Sequence, residues 1–197
     1  MKIIIDNGHG VNTAGKHSPD RRLMEWKWNR EVAKIIYDDL KGFGFDPELI
    51  VTEDTDVSLG ERVRRTNAIC DKYGSKNCIF ISVHVNAAGS DGKWHNASGW
   101  SVWTTPGKTI SDELAECMWK AAKVYFPSQM LSDMSDGDHD YEYSFAVCRG
   151  AKCAAVLCEN FFMDNKKDCD WLLTKEGKKA CATAMEDGII AYLQTRR

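Results

Sequence analysis

Two histidines and two glutamates carry the chemistry this chain can do. His9 follows a β-branched run, Ile3-Ile4-Ile5, within Asp6-Asn7-Gly8-His9-Gly10. Its flanking glycines allow a sharp turn and a close backbone approach. His84 ends a second apolar run, Cys78-Ile79-Phe80-Ile81-Ser82-Val83, and Glu159 ends a third, Ala154-Ala155-Val156-Leu157-Cys158. Glu25 opens the helical pattern after the first run, which puts its carboxylate at a positive helix end. Open α/β sheets bind ligands beyond the carboxyl ends of their strands. Two imidazoles and a carboxylate are the protein ligands of a hydrolytic zinc site that keeps a fourth position open for water. A further carboxylate beside it serves as general base and then acid. A glutamate ending a Val-Leu-Cys strand is costly without a partner charge. Taken alone, His9 reads equally well as a packed turn histidine, and Glu25 as a favourable first-turn charge. On residue types, Glu25 and Glu159 are interchangeable as ligand and as acid/base.

The elements that must position these groups are legible from periodicity. A helix is expected from about Leu23 to Leu40, with Trp28, Val32, Ile35, Ile36 and Leu40 as its apolar stripe and Gly42 or Gly44 at its end. Asn29 shares the face of Glu25 one turn on. Leu49–Thr52 reads as the second strand. Ser58-x-x-Glu61 is a capping box for a second helix, beside whose inward stripe Arg62, Arg64 and Arg65 ride. Arg64 and Arg65 read as a solvated face. Cys78–Val83, apolar almost throughout, reads as a central strand. Trp100–Trp103, Phe145–Cys148 and Ala154–Cys158 are further strands. Thr109-x-x-Asp112 caps a helix, Lys166–Leu173 is a short one, and the last begins near Thr174. The alternating order predicts a three-layer α/β fold: a mostly parallel twisted sheet of about six strands with helices on both faces. Without repeats, low-complexity tracts or a linker, residues 1–197 read as a single catalytic domain.

Composition removes several classes of function. The 197 residues are 43% hydrophobic and 28% charged, with a formal net charge of −3. There is no basic field for nucleic acid. No apolar run approaches the ~20 residues of a membrane span, so no membrane insertion is expected. Lys2 has no apolar h-region after it, so no signal peptide is read. The eight cysteines include no Cys-x-x-Cys pair, and they read as reduced thiols. The acidic stretch from Ser132 to Ser144 lacks the EF-hand glycine and terminal carboxylate when counted from Asp136, and reads as a solvated or groove-lining loop.

The chain resembles the zinc-dependent N-acetylmuramoyl-L-alanine amidases of the amidase_3 type. The resemblance is carried by Asp6-x-Gly8-His9-Gly10, Glu25 with Asn29, Leu59-x-Glu61-Arg62 with Asn67, and Ser82-Val83-His84-Val85-Asn86-Ala87. It continues through Arg149 to Ala155-Val156-Leu157-Cys158-Glu159 and the tail Asn160-Phe161-Phe162-Met163-Asp164-Asn165. Departures are Ala154 in place of proline, Asn160 in place of a small or apolar residue, and Val11 where a second glycine is usual. The resemblance implies that His9, Glu25 and His84 hold Zn²⁺, that Glu159 is the catalytic acid/base, and that peptidoglycan is the substrate. Asn86 and Arg149 are the expected substrate contacts, and Asp6 an orienter of a ligand imidazole. A monomer with an open groove and no gating helix is expected. It would be made in the cytoplasm and reach the wall after release, as a phage or prophage lysin does, or be a mature exported domain. The rival readings are another zinc peptidase or amidase acting on stem peptides, an inactive wall-binding module, and a Cys–His hydrolase.

Overall fold

The computed structural model describes residues 1–196. In chain order the main elements are β1 (Lys2–Asn7), α1 (Glu25–Gly42), β2 (Asp46–Leu49), α2 (Leu59–Tyr73), β3 (Cys78–Asn86) and β4 (Trp100–Thr104). There follow α3 (Asp112–Tyr125), β5 (Tyr141–Glu142), α4 (Ala146–Gly150), β6 (Ala154–Phe162), α5 (Lys166–Leu172) and α6 (Lys175–Thr195). The strands form one six-stranded sheet in the order β2-β1-β3-β6-β4-β5. Every neighbouring pair is parallel except β4 with β6. This is the predicted α/β architecture.

Strand alternation divides the core in two. Ile3 and Ile5, Ile79 and Ile81, and Val156 and Cys158 point to one face, where Val32, Ile36, Met118, Met185 and Ile189 of α1, α3 and α6 cover them. Ile4, Phe80, Ala155 and Leu157 point to the other, against Ile69 and Cys70 of α2 and Val147 and Cys148 of α4. Each fully buried aliphatic side chain stabilises by about 1.5–3 kcal/mol relative to exposure. The second face is shallower, and the His84 and Glu159 side chains rise from it. On the first face α6 lies directly against α3: a Cβ on Gly188 would stand 2.7 Å from the Met118 Cα.

Three element assignments differ from the sequence reading. Phe145–Cys148, read as a strand, leads into the helix α4. Val147 and Cys148 both enter the second core, which adjacent residues of a strand cannot do. The second strand is Asp46–Leu49 rather than Leu49–Thr52. It runs along the sheet edge, where Pro47 is tolerated because its missing N–H faces no partner. Ile50 and Val51 are the point at which the chain turns inward to the second core. The acidic stretch also supplies an edge strand, β5, paired to β4.

All eight cysteines are free thiols, seven of them buried. Burial pushes the Cys148 thiol up to about 12, with the Asp6 charge adding to it. No helix among the described residues is long and apolar enough to cross a membrane.

Candidate active site

His9, His84 and Glu159 stand at the carboxyl ends of three adjacent parallel strands, β1, β3 and β6. Glu25 opens α1 and is 1% exposed. His9 Nε2 lies 3.3 Å from Glu25 Oε2, and His84 Nδ1 lies 3.1 Å from Glu25 Oε1. The two imidazole rings meet edge to face, with centroids 5.0 Å apart. One ligand atom from each of the three residues falls within 4.8 Å of the others.

Each of the three side chains is held by its neighbours. The Val85 N–H donates to Glu25 Oε1 at 3.2 Å, and the Glu25 N–H donates to the Lys16 carbonyl at 3.0 Å. The His84 ring lies against Gly8, where a Cβ would stand 2.0 Å from the ring Cε1. Asn29, fully buried, donates to the Gly8 carbonyl at 3.2 Å. His9 has a φ of 65°, in the left-handed region that residues other than glycine seldom occupy. Two guanidinium groups secure this turn: Arg30 and Arg62 both donate to the His9 carbonyl, at 3.0 and 3.2 Å.

Arg62 is the anchor of the site floor and is 2% exposed. It donates to Asp6 Oδ1 at 2.5 Å, the Asn7 carbonyl at 2.7 Å, the Val57 carbonyl at 2.7 Å and Asp56 Oδ1 at 3.0 Å. Asp6 Oδ2 accepts from the Ser82 hydroxyl at 2.6 Å. Both Asp6 oxygens are therefore taken up by Arg62 and Ser82. Asp6 does not orient a ligand imidazole, as the sequence reading expected; it neutralises the buried guanidinium that holds the His9 turn. Arg64 reaches only Glu61 at the surface, as expected, whereas Arg65 is largely covered and bonds Glu53, Glu61 and the Ile50 carbonyl.

A bulge aims the far wall. His84 pairs with Glu159 and Asn86 with Phe162, so β6 carries one residue more than β3 across this step. Phe161 takes up the turn with a φ of 63°. Asn160, in the bulge, is fully buried, donates to the His84 carbonyl at 3.0 Å and accepts from the Trp100 indole at 2.9 Å.

The electrostatics separate the two glutamates. Burial alone would raise the Glu25 carboxyl, but hydrogen bonds from His84 and His9 and their charges hold it well below the usual range. Burial pushes Glu159 well above that range, the Glu25 charge adds to the effect, and Lys16 opposes it. Glu25 thus stays an anion suited to ligation, while Glu159 holds protons more tightly. Glu159 Oε2 is buried without a hydrogen-bond partner, and Glu25 Oε2 is buried with only the His9 Nε2 beside it at 3.3 Å. A buried carboxylate with an imidazole nitrogen beside each of its oxygens fits a divalent cation of the zinc type.

These groups line a cavity of about 450 Å³ whose walls also include Lys16, Val57, Leu59, Asn86, Phe145 and Val147. No cysteine lines it. Asn86 faces the cavity, and its Oδ1 accepts the Ala87 N–H at 2.8 Å. Arg149 does not join them: it donates to the Ser144 hydroxyl at 3.0 Å and lines a separate pocket with Thr105 and Ile110. Sequence reasoning did not foresee Arg30 or the link from Asn160 to His84, since a buried polar residue gives no local sign of its distant partner.

Comparison with known proteins agrees with this geometry. The Amidase_3 family, described as N-acetylmuramoyl-L-alanine amidase, matches residues 3–191. The N-acetylmuramoyl-L-alanine amidase LytC of Bacillus subtilis is 28% identical over 191 residues, which is 96% of this chain but 35% of LytC. The endolysin of Bacillus phage SPP1 is 25% identical over 199 residues, 99% of this chain and 67% of the endolysin. The crystal structure of an N-acetylmuramoyl-L-alanine amidase from Clostridium difficile 630 superimposes with a TM-score of 0.80 at 24% identity, covering 100% of this chain and 98% of that one. From its strand-end histidines to its β6 glutamate, this chain belongs to the N-acetylmuramoyl-L-alanine amidase family.

Proposed function

We propose that the protein hydrolyses the amide bond between N-acetylmuramic acid and L-alanine in peptidoglycan, with Zn²⁺ held by His9, Glu25 and His84. The observation that carries this reading is the convergence of those three side chains within 4.8 Å beside a fourth, unpaired carboxyl group. When bound, zinc supplies a Lewis acid for the scissile carbonyl and lowers the pKa of water toward ~7.

The chain supplies the rest. Glu159 takes the proton of the attacking water; its raised proton affinity makes it the stronger base of the two glutamates. The lactyl carbonyl of muramic acid is attacked, and Glu159 returns the proton to the departing amine of L-alanine. Arg62 and Asn160 keep His9 and His84 in place through their backbone carbonyls. Asn86 is assigned an amide hydrogen bond to the substrate. Arg149, in its separate pocket, is assigned no part at the reacting bond. The protein acts on the cell wall, as a monomer, and the phage endolysin among its relatives favours a lytic role.

Digestion of purified sacculi tests the bond. New lactyl carboxyls and intact peptides with free L-alanine amines are expected. Cuts within the stem peptide would replace this reading with a zinc peptidase, and binding without product would replace it with a wall-binding module.

A further inference from the structure

The connection from β3 to β4 has no regular structure, yet it is tied down along its length. Asp164, just after β6, accepts the Ala88 and Gly89 N–H groups on its carboxylate at 2.8 and 2.9 Å and the His95 N–H on its carbonyl at 2.7 Å. Asn165 donates to the Ala97 carbonyl at 3.1 Å, and the Ser98 hydroxyl donates to Asp168 Oδ1 at 2.7 Å. Ordered connections of more than about 12 residues without secondary structure are usually functional. This one holds Trp94 out of the core, 37% exposed. The Lys166 ammonium stands 5.8 Å from the Trp94 ring centroid and is itself tied to Asp170. Trp94 walls a cavity of about 450 Å³ that Asn96, Gln129 and Lys167 also line. Among the described residues, none of these three side chains has a hydrogen-bond or ion-pair partner, so two carboxamides and an ammonium remain for a ligand.

A fixed aromatic ring ringed by amides fits a saccharide. The apolar C–H face of a pyranose covers the indole, while its hydroxyl and acetamido groups take the hydrogen bonds that the carboxamides and Lys167 offer. None of the lining residues belongs to a strand, so the cavity has no open edge on which to pair a peptide. The cavity also adjoins the catalytic one. Ala87 lines the catalytic cavity, Gly89 follows it closely in the chain, and His95 packs on Gly89, where a Cβ would stand 2.5 Å from the ring Nε2. Hydrolysis at a lactyl group borne on a glycan strand places one sugar at the catalytic cavity and its neighbours outside.

We propose that Trp94, with Asn96, Gln129 and Lys167, forms a subsite for a neighbouring N-acetylated sugar of the glycan strand. The subsite rests on the reading of peptidoglycan as the substrate and adds the direction of the strand, which runs past Ala87 and over the connection from β3 to β4.

The test is binding of peptide-free glycan strands, alternating N-acetylglucosamine and N-acetylmuramic acid, to the zinc-loaded protein, read by isothermal calorimetry. Wild type is expected to bind, and Trp94→Ala to bind about tenfold more weakly, the loss of one aromatic anchor. Gln129→Ala, at an exposed position on the same cavity wall, should weaken binding by a smaller factor. Circular dichroism shows each fold intact. The ratio of kcat/KM on long soluble peptidoglycan strands to that on a single disaccharide-peptide should fall in Trp94→Ala, through a higher KM on the long strands. Wild-type protein that binds no peptide-free strand, or Trp94→Ala that binds as wild type does, would overturn the proposal, and so would an unchanged ratio. Trp94-dependent glycan binding by a protein that cuts no muramoyl–alanine bond would uphold the subsite and count against the amidase reading, so the two fail separately.

Discussion

His84 and Glu159 are register partners on β3 and β6. Partners in parallel strands point to the same side, so both rise from the face that carries Phe80 and Leu157 below them. Glu25 comes to them from outside the sheet and bonds His84 directly. The distance between the proposed ligand and the proposed acid/base is therefore set by the spacing of two hydrogen-bonded strands, the stiffest ruler the fold offers.

Gly8 makes room for one of the imidazoles. A methyl group there would occupy the position of the His84 ring, 2.0 Å from Cε1. Gly8→Ala should therefore lower zinc affinity by at least ~10-fold, comparable to the loss of a supporting ligand contact. Chelator competition measures this, with circular dichroism to show the fold intact. Wild-type affinity in the variant would show that the ring position is not what holds the ion.

Arg62 and Asp6 form a buried ion pair, with both side chains at most 2% exposed. Removing one partner strands the other, at a cost of about 3–5 kcal/mol. Arg62→Met should show that loss in urea unfolding, and its His9 turn should bind zinc more weakly. Asp6→Asn with Arg62→Met together should recover part of the stability, since no lone charge remains. A double variant as unstable as the sum of the singles would argue against the pairing.

Glu186 on α6 is buried, with Lys179 Nζ 3.7 Å away. Burial raises its carboxyl to about 7, Lys179 opposes this and Asp39 adds to it. Between its ordinary value of 4.5 and about 7, the folded protein holds a proton that the unfolded chain has lost. Stability from this group is therefore full at low pH and falls as pH rises through that window, by about 2–3 kcal/mol. Glu186→Gln should flatten this slope and unfold at higher urea than wild type at pH 8. Equal midpoints at pH 8 would contradict it.

The parts legible in the sequence were those written as contrast. An all-apolar run ending abruptly in His or Glu marks a strand end, and β1, β3 and β6 placed His9, His84 and Glu159 together as that pattern implies. Phe145–Cys148 was ambiguous because four apolar residues carry no period, and only the second core decides that Val147 and Cys148 lie on one side. Asp6 looked like an imidazole partner because it sits near His9 in sequence, but Arg62, distant in the chain, claims its oxygen first. Arg149 reads from its place before β6 as a substrate contact, yet α4 carries it to another pocket. Buried polar partners are chosen by the packed fold, and a linear pattern does not contain them.

The central claim separates holding the ion from moving the proton. Zinc content and sacculus turnover, measured together for wild type and Glu159→Ala, test it most directly. The account predicts one zinc per chain in both proteins and a loss of turnover of about 10²–10⁴-fold in the variant. Zinc lost from Glu159→Ala, or wild-type turnover retained in it, would contradict the division of roles between Glu25 and Glu159.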